Sequence, residues 1–93
     1  MKNNRKQENK TLKGYACPCC GYLTLSEKPP GTFEICPVCR WEDDNVQFDD
    51  PNFAGGANDM SLNQARENYK NFGAKSKKAL ERVRKPWPDE FPD

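Results

Sequence analysis

A chain of 93 residues has room for one domain, yet its apolar share of 34% and mean hydropathy of -1.08 leave few side chains from which to build a core. Its formal net charge of +1 gives no uniformly basic surface of the kind that holds nucleic acid by charge alone. Five cysteines, an odd number, follow an N-terminus with no apolar run, which argues against a disulfide framework, a signal peptide or a membrane span and predicts a cytoplasmic chain.

Residues 1–13 carry +4 without apolar periodicity and are expected to form a disordered basic arm, followed by a folded unit over 14–86 and an acidic, Pro-rich tail over 87–93. Residues 22–25 and 32–35 are short aromatic and aliphatic runs flanking the turn-forming Glu27-Lys28-Pro29-Pro30-Gly31, a pattern that predicts a β-hairpin. Residues 41–59 carry -6, are rich in Asn and Gly, and read as a long loop pinned by Phe48 and Phe53, with Gly55-Gly56 in a tight turn. Ser61 and Gln64 have capping-box spacing, and Leu62, Ala65, Tyr69 and Phe72 fall within about 80° on a helical wheel. This predicts a helix over residues 62–71, ended by Gly73, with its apolar stripe in the core. Ala79, Leu80 and Val83 permit a second short helix over 77–84, stopped by Pro86 and Pro88.

The strongest chemical signal is a pair of C-P-x-C tetrapeptides, Cys17-Pro18-Cys19-Cys20 and Cys36-Pro37-Val38-Cys39, with 15 residues between Cys20 and Cys36. A C-x-x-C turn brings two thiolates to one ion at about 2.3 Å, and two such turns complete a tetrahedron. Aligning the prolines sets Cys19 opposite Val38, which cannot ligate, so Cys17, Cys20, Cys36 and Cys39 are the predicted metal ligands. Cys19 is then an extra thiol beside the site, an alternate ligand or a redox-active neighbour. The expected ion is a single zinc, with iron as the alternative, since four-thiolate tetrahedra accept both. Structural zinc contributes on the order of 10 to 16 kcal/mol to the folding of small domains, which would offset the thin core. Four protein ligands leave no position for water or substrate, and the chain has no histidine, no nucleophile triad and no phosphate loop. The residues therefore predict a binding protein and not an enzyme.

Through Tyr15-Ala16-Cys17-Pro18-Cys19-Cys20-Gly21-Tyr22, Gly31-Thr32-Phe33-Glu34-Ile35-Cys36-Pro37-Val38-Cys39 and Trp41-Glu42-Asp43-Asp44, the chain resembles the bacterial CPCC cysteine-rich proteins. The likeness continues through Gly55-Gly56-Ala57-Asn58, Ser61-Leu62 and Asn68-Tyr69 to Gly73, covering residues 14–86. It implies a small stand-alone bacterial protein and brings no activity with it. The two cysteine turns are also similar to the knuckles of rubredoxins and other zinc ribbons, a likeness confined to residues 15–41 that bears on fold and metal alone. The linker between knuckles is shorter than in rubredoxins, and Arg40 stands where their second knuckle has glycine. Arginine at a position that favours positive φ predicts a second knuckle of different geometry.

Glu42, Asp43, Asp44, Asp49, Asp50 and Asp59 lack EF-hand spacing, because Phe48 stands where glycine is required counting from Asp43, and they read as a solvated acidic face that can cap helix ends or meet the basic helices. Tyr15, Tyr22, Phe33, Trp41, Phe48 and Phe53 have no basic residues interleaved among them and are expected in the core. Trp87, between two prolines, reads equally as folded back onto the domain or as an exposed anchor. The expected fold is a small α+β metal-bound domain, a rubredoxin-like or zinc-ribbon β-hairpin followed by one or two short helices. The expected role is a zinc-stabilised interaction module with a protein partner; the alternatives are an iron electron carrier and a nucleic-acid-binding ribbon. Nucleic-acid contact would be weak and salt-sensitive, through Lys75, Lys77, Lys78, Arg82, Arg84 and Lys85.

Overall fold

Both C-P-x-C segments fold into turns of the same construction in the computed structural model, which describes residues 14–92 and leaves the expected arm at 1–13 outside them. The Gly21 N–H bonds the Cys17 carbonyl at 2.8 Å and the Arg40 N–H bonds the Cys36 carbonyl at 2.7 Å. Cys17 N–H reaches the Tyr22 carbonyl and Cys36 N–H the Trp41 carbonyl, both at 2.9 Å. Gly21 and Arg40 share the left-handed region, with φ 83° and 74°. The expected difference between the knuckles is therefore absent: Arg40 takes the glycine conformation, against a preference of about 1 to 2 kcal/mol.

The expected β-hairpin does not form. Among the described residues there are only two isolated antiparallel bridges, Tyr15 with Leu25 and Ile35 with Glu42. Each run is paired across its own knuckle. Leu25 exchanges both backbone bonds with Tyr15, while the Phe33 N–H goes to the Asp43 carbonyl and the Asp43 N–H to the Glu34 carbonyl. Most of the N–H groups that a ladder between the two runs would use are already engaged.

Residues 41–59 are more ordered than a pinned loop. Helix α1 (Asn45–Asp49) starts at Asp44, whose Oδ1 accepts from the Val46 N–H at 2.8 Å and whose Oδ2 accepts from the Ala57 N–H at 2.7 Å. Gln47 is fully buried: its amide donates to the carbonyls of Phe53 and Met60 and accepts from the Asn58 backbone and side chain. Asn58 in turn accepts from the Glu42 N–H at 2.9 Å and donates to the Glu42 carbonyl at 2.8 Å. Asp43 accepts from both the N–H and the hydroxyl of Thr32. Asp43 and Asp44 are thus buried and structural, which corrects their reading as part of a solvated face. The signal for α1 lay in the sequence as Asp44 followed three residues later by Gln47, the same spacing as Ser61 and Gln64.

Helix α2 (Leu62–Phe72) runs one residue beyond expectation, from the Ser61 cap to Gly73 at φ 93°. Ser61 Oγ accepts from the Gln64 N–H, but the Gln64 side chain turns to Asn68, so the capping box is not closed. The segment expected as a second α-helix is a 3-10 helix, Lys77–Arg82, with Val83 already extended. Its span is fixed from both sides by the second knuckle, Lys75 N–H bonding the Cys39 carbonyl and Arg84 N–H the Pro37 carbonyl. A 3-10 helix rises about 2.0 Å per residue and covers such a fixed distance in fewer residues than an α-helix.

Leu25, Val38, Trp41, Leu62 and Ala65 form the core together with the cysteines, and Tyr22, Met60 and Tyr69 pack against it. Tyr15, Phe33, Phe48 and Phe53 do not join it and are exposed, which corrects their assignment to the core. The inward positions of the acidic segment are taken by Gln47, Asn58 and the two aspartates, whose hydrogen bonds leave no apolar seat there. The C-terminal stretch folds back onto the first knuckle: the Leu23 N–H bonds the Glu90 carbonyl at 2.7 Å, and Phe91 meets Tyr22 edge-on at 5.1 Å. Trp87 is covered on one side and open on the other, since the Arg84 guanidinium lies 3.7 Å over a ring that stays 58% exposed.

Candidate metal centre

The matched turns aim their side chains at one another. The Sγ atoms of Cys17, Cys20, Cys36 and Cys39 all lie within 4.8 Å of one another, and the separations across the knuckles are 3.6 Å for Cys17 with Cys39 and 3.7 Å for Cys20 with Cys36. A tetrahedron with sulfurs about 2.3 Å from its centre has edges of about 3.8 Å, so this donor set fits a zinc- or iron-sized ion. Cys17, Cys36 and Cys39 are buried and Cys20 is partly exposed. Among the described residues no other group of cysteines and carboxylates converges in this way.

Three donors surround the sulfurs, two of them backbone N–H groups of the kind that a C-x-x-C turn is expected to supply. The Val38 N–H points to Cys36 Sγ and the Trp41 N–H to Cys39 Sγ, each at 3.4 Å. The Thr24 hydroxyl lies 3.0 Å from Cys36 Sγ and donates to it once the sulfur is a thiolate. The two amides follow from the C-x-x-C turn itself, whereas nothing in the sequence marks Thr24. Cys19 stays outside the group of four and packs into the core, as does Val38, its counterpart in the other knuckle.

The electrostatics of the bare cluster make a cation its natural complement. Cys36 is lowered below the ordinary thiol range, because Cys17 and then Cys20 and Cys39 hydrogen-bond to it, with Thr24 adding to the effect. Cys20 and Cys39 are pushed up, first by the hydrogen-bonded thiol of Cys17 and also by burial. One thiolate forms readily and suppresses the next, so four negative sulfurs require a positive ion among them. Burial, and then the charge of Cys20, raises the Tyr69 hydroxyl as well.

The basic residues expected to contact nucleic acid are not all free to do so. Arg84 is engaged by Glu90 through two bonds of 2.8 Å, and Lys75 Nζ bonds Asn58 Oδ1 at 3.0 Å. Lys77 sits over the Phe72 ring at 5.7 Å, while Lys78, Arg82 and Lys85 are exposed. No helix among the described residues is long and apolar enough to cross a membrane.

Two opposed knuckles converging four thiols, with helices packed beside them, define a small cysteine-rich domain with a site that could hold one metal ion. The family model for cysteine-rich CPCC proteins matches residues 15–90, and the chain belongs to that family. No curated protein matches the chain. The family match runs past residue 86 to Glu90, whose backbone and carboxylate both bond to the rest of the domain.

Proposed function

We propose that the chain is a zinc-stabilised binding module, with Cys17, Cys20, Cys36 and Cys39 as the zinc ligands and a protein as its partner. The observation that carries this reading is the closed set of four sulfurs at tetrahedral spacing. A site filled by four protein sulfurs leaves no open position for substrate, so the ion serves the fold and the module acts by binding rather than by catalysis. A four-thiolate zinc site suits a reducing, cytoplasmic setting. A protein partner suits the surface, where Phe33, Phe48, Phe53, Leu80 and Trp87 all stand exposed on a chain of 93 residues.

Native mass spectrometry with elemental analysis of the untagged protein tests the first half of the proposal: one zinc per chain and a colourless solution are expected. The repeated N–H···S bonds of the second knuckle also suit iron, as in an electron carrier of rubredoxin type. Iron at one per chain, with a colour that bleaches reversibly on reduction, would replace the binding-module reading with that one.

A further inference from the structure

The second knuckle carries a side chain at a backbone position better suited to glycine. Gly21 holds φ 83° without a Cβ, whereas Arg40 holds φ 74° with one. Its guanidinium forms no hydrogen bond or ion pair with any described residue, so the side chain itself does nothing inside the domain to offset the strain that the knuckle's backbone bonds hold in place. The same side chain lines a cavity of about 280 Å³, together with Lys75, Lys78 and Arg82. Lys78 and Arg82 are likewise unpaired among the described residues.

The rest of the cavity narrows the ligand class. Ile35, 46% exposed, supplies the apolar surface, with the largely buried Ala79 also in the lining. Asp59 and Glu81 also line it, without forming an ion pair with the four cations. The balance is electropositive but interrupted, unlike the continuous basic stripe that tracks a phosphate backbone. The volume of about 280 Å³ sits at the small end of the roughly 300 to 1,000 Å³ of small-molecule pockets and leaves room for a seated side chain.

We propose that this cavity is the partner site of the domain and takes a protein segment that carries carboxylates on both sides of one apolar side chain. The apolar side chain rests on Ile35, and the carboxylates pair with Arg40, Lys78 and Arg82. The proposal rests on the reading of the chain as a zinc-stabilised protein-binding module and names the chemistry of the partner. It assigns Arg40 a reason to occupy a glycine position.

The test is fluorescence anisotropy on metal-loaded protein, its metal content measured first, with a labelled peptide of alternating glutamate and leucine and a single-stranded DNA of equal charge. The peptide should bind more tightly than the DNA. Arg40→Gly should retain the metal and at least the wild-type denaturation midpoint, because glycine relieves the backbone, yet weaken the peptide about tenfold. Arg82→Gln should weaken it similarly, and Lys70→Gln, whose residue does not line the cavity, should leave it unchanged. Equal peptide affinity in Arg40→Gly, a preference for DNA, or self-association that the peptide does not displace would each overturn the assignment. Metal-loaded protein that ignores the peptide sinks this inference alone; protein that takes up no metal sinks the proposed function as well.

Discussion

Asn58 does with one side chain what a neighbouring strand would do with its backbone, closing both the N–H and the carbonyl of Glu42 while also holding Gln47. Asn58→Ala strands those groups in a buried setting and should lower the stability of the metal-loaded protein by about 2 to 3 kcal/mol, read as a denaturant midpoint. Gly56 faces the same network from the other side. A Cβ there would strike Asp44 Oδ2 and lie 2.7 and 2.8 Å from Gln47 Cγ and Cδ, so crowding is what demands glycine. Gly56→Ala should cost about 1 to 3 kcal/mol in the same titration. At the cluster itself, serine at Cys17, Cys20, Cys36 or Cys39 should abolish or greatly weaken metal binding and unfold most of the chain, whereas Cys19→Ser should be tolerated. Metal content and circular dichroism of the five variants check this. Loss of metal in Cys19→Ser with retention in Cys20→Ser would reverse the ligand assignment.

Along α2 the apolar stripe is graded. Leu62 and Ala65 are fully buried, while Tyr69 and Phe72 lie at the edge and keep part of their surface in water. Leu62→Ala should therefore cost about 2 to 5 kcal/mol, and Phe72→Ala less than the about 3 to 5 kcal/mol of a fully buried phenylalanine. Ser61→Ala should cost about 1 kcal/mol, since the serine caps the Gln64 N–H without a reciprocal bond. This helix was legible because a period of 3.6, a cap and a glycine stop agreed along one short stretch. The four thiols were legible because C-x-x-C fixes their local geometry and the doubled motif supplies the partner. The pairing of residues 22–25 and 32–35 was not legible. Both had strand-like composition, but their partners were chosen by the hydrogen bonds of the knuckles, which join Phe33 to Asp43 and Leu25 to Tyr15. Nor could composition show that Asp43, Asp44 and Gln47 turn inward, because polar residues are buried only where distant groups complete their bonds, as Thr32, Ala57 and Asn58 do here.

At the scale of the whole molecule, residues 84–91 lock onto the first knuckle. The Arg84 and Glu90 side chains form two 2.8 Å bonds, Glu90 also accepts from the Trp87 N–H at 2.8 Å, and the Glu90 carbonyl holds Leu23 beside the first knuckle. Hydrogen bonding to Arg84 holds the Glu90 carboxyl below its ordinary value of 4.5. A carboxyl lowered in the folded state adds stability above its ordinary value and gives it up as pH falls through the lowered one. The stability difference between wild type and Glu90→Gln should thus be largest near neutrality and shrink as pH drops below about 4.5. A constant difference across that range would mean that the glutamate contributes shape and not charge. Chain ended after Pro86 should lose the Tyr22 contact with Phe91 as well as this lock, and unfold at lower denaturant than the full chain.

The uneven enclosure of the cluster also decides how it would wear out. Cys17, Cys36 and Cys39 are sealed in, and the Val38 and Trp41 amides and the Thr24 hydroxyl all attend sulfurs of the second knuckle, leaving Cys20 as the partly exposed corner. A peroxide or an alkylating reagent meets that corner first, and with a metal bound each oxygen or carbon added there would remove one of the four sulfurs that could hold it. The working life of a metal-loaded domain in an oxidising episode would then be set first by one sulfur atom out of five.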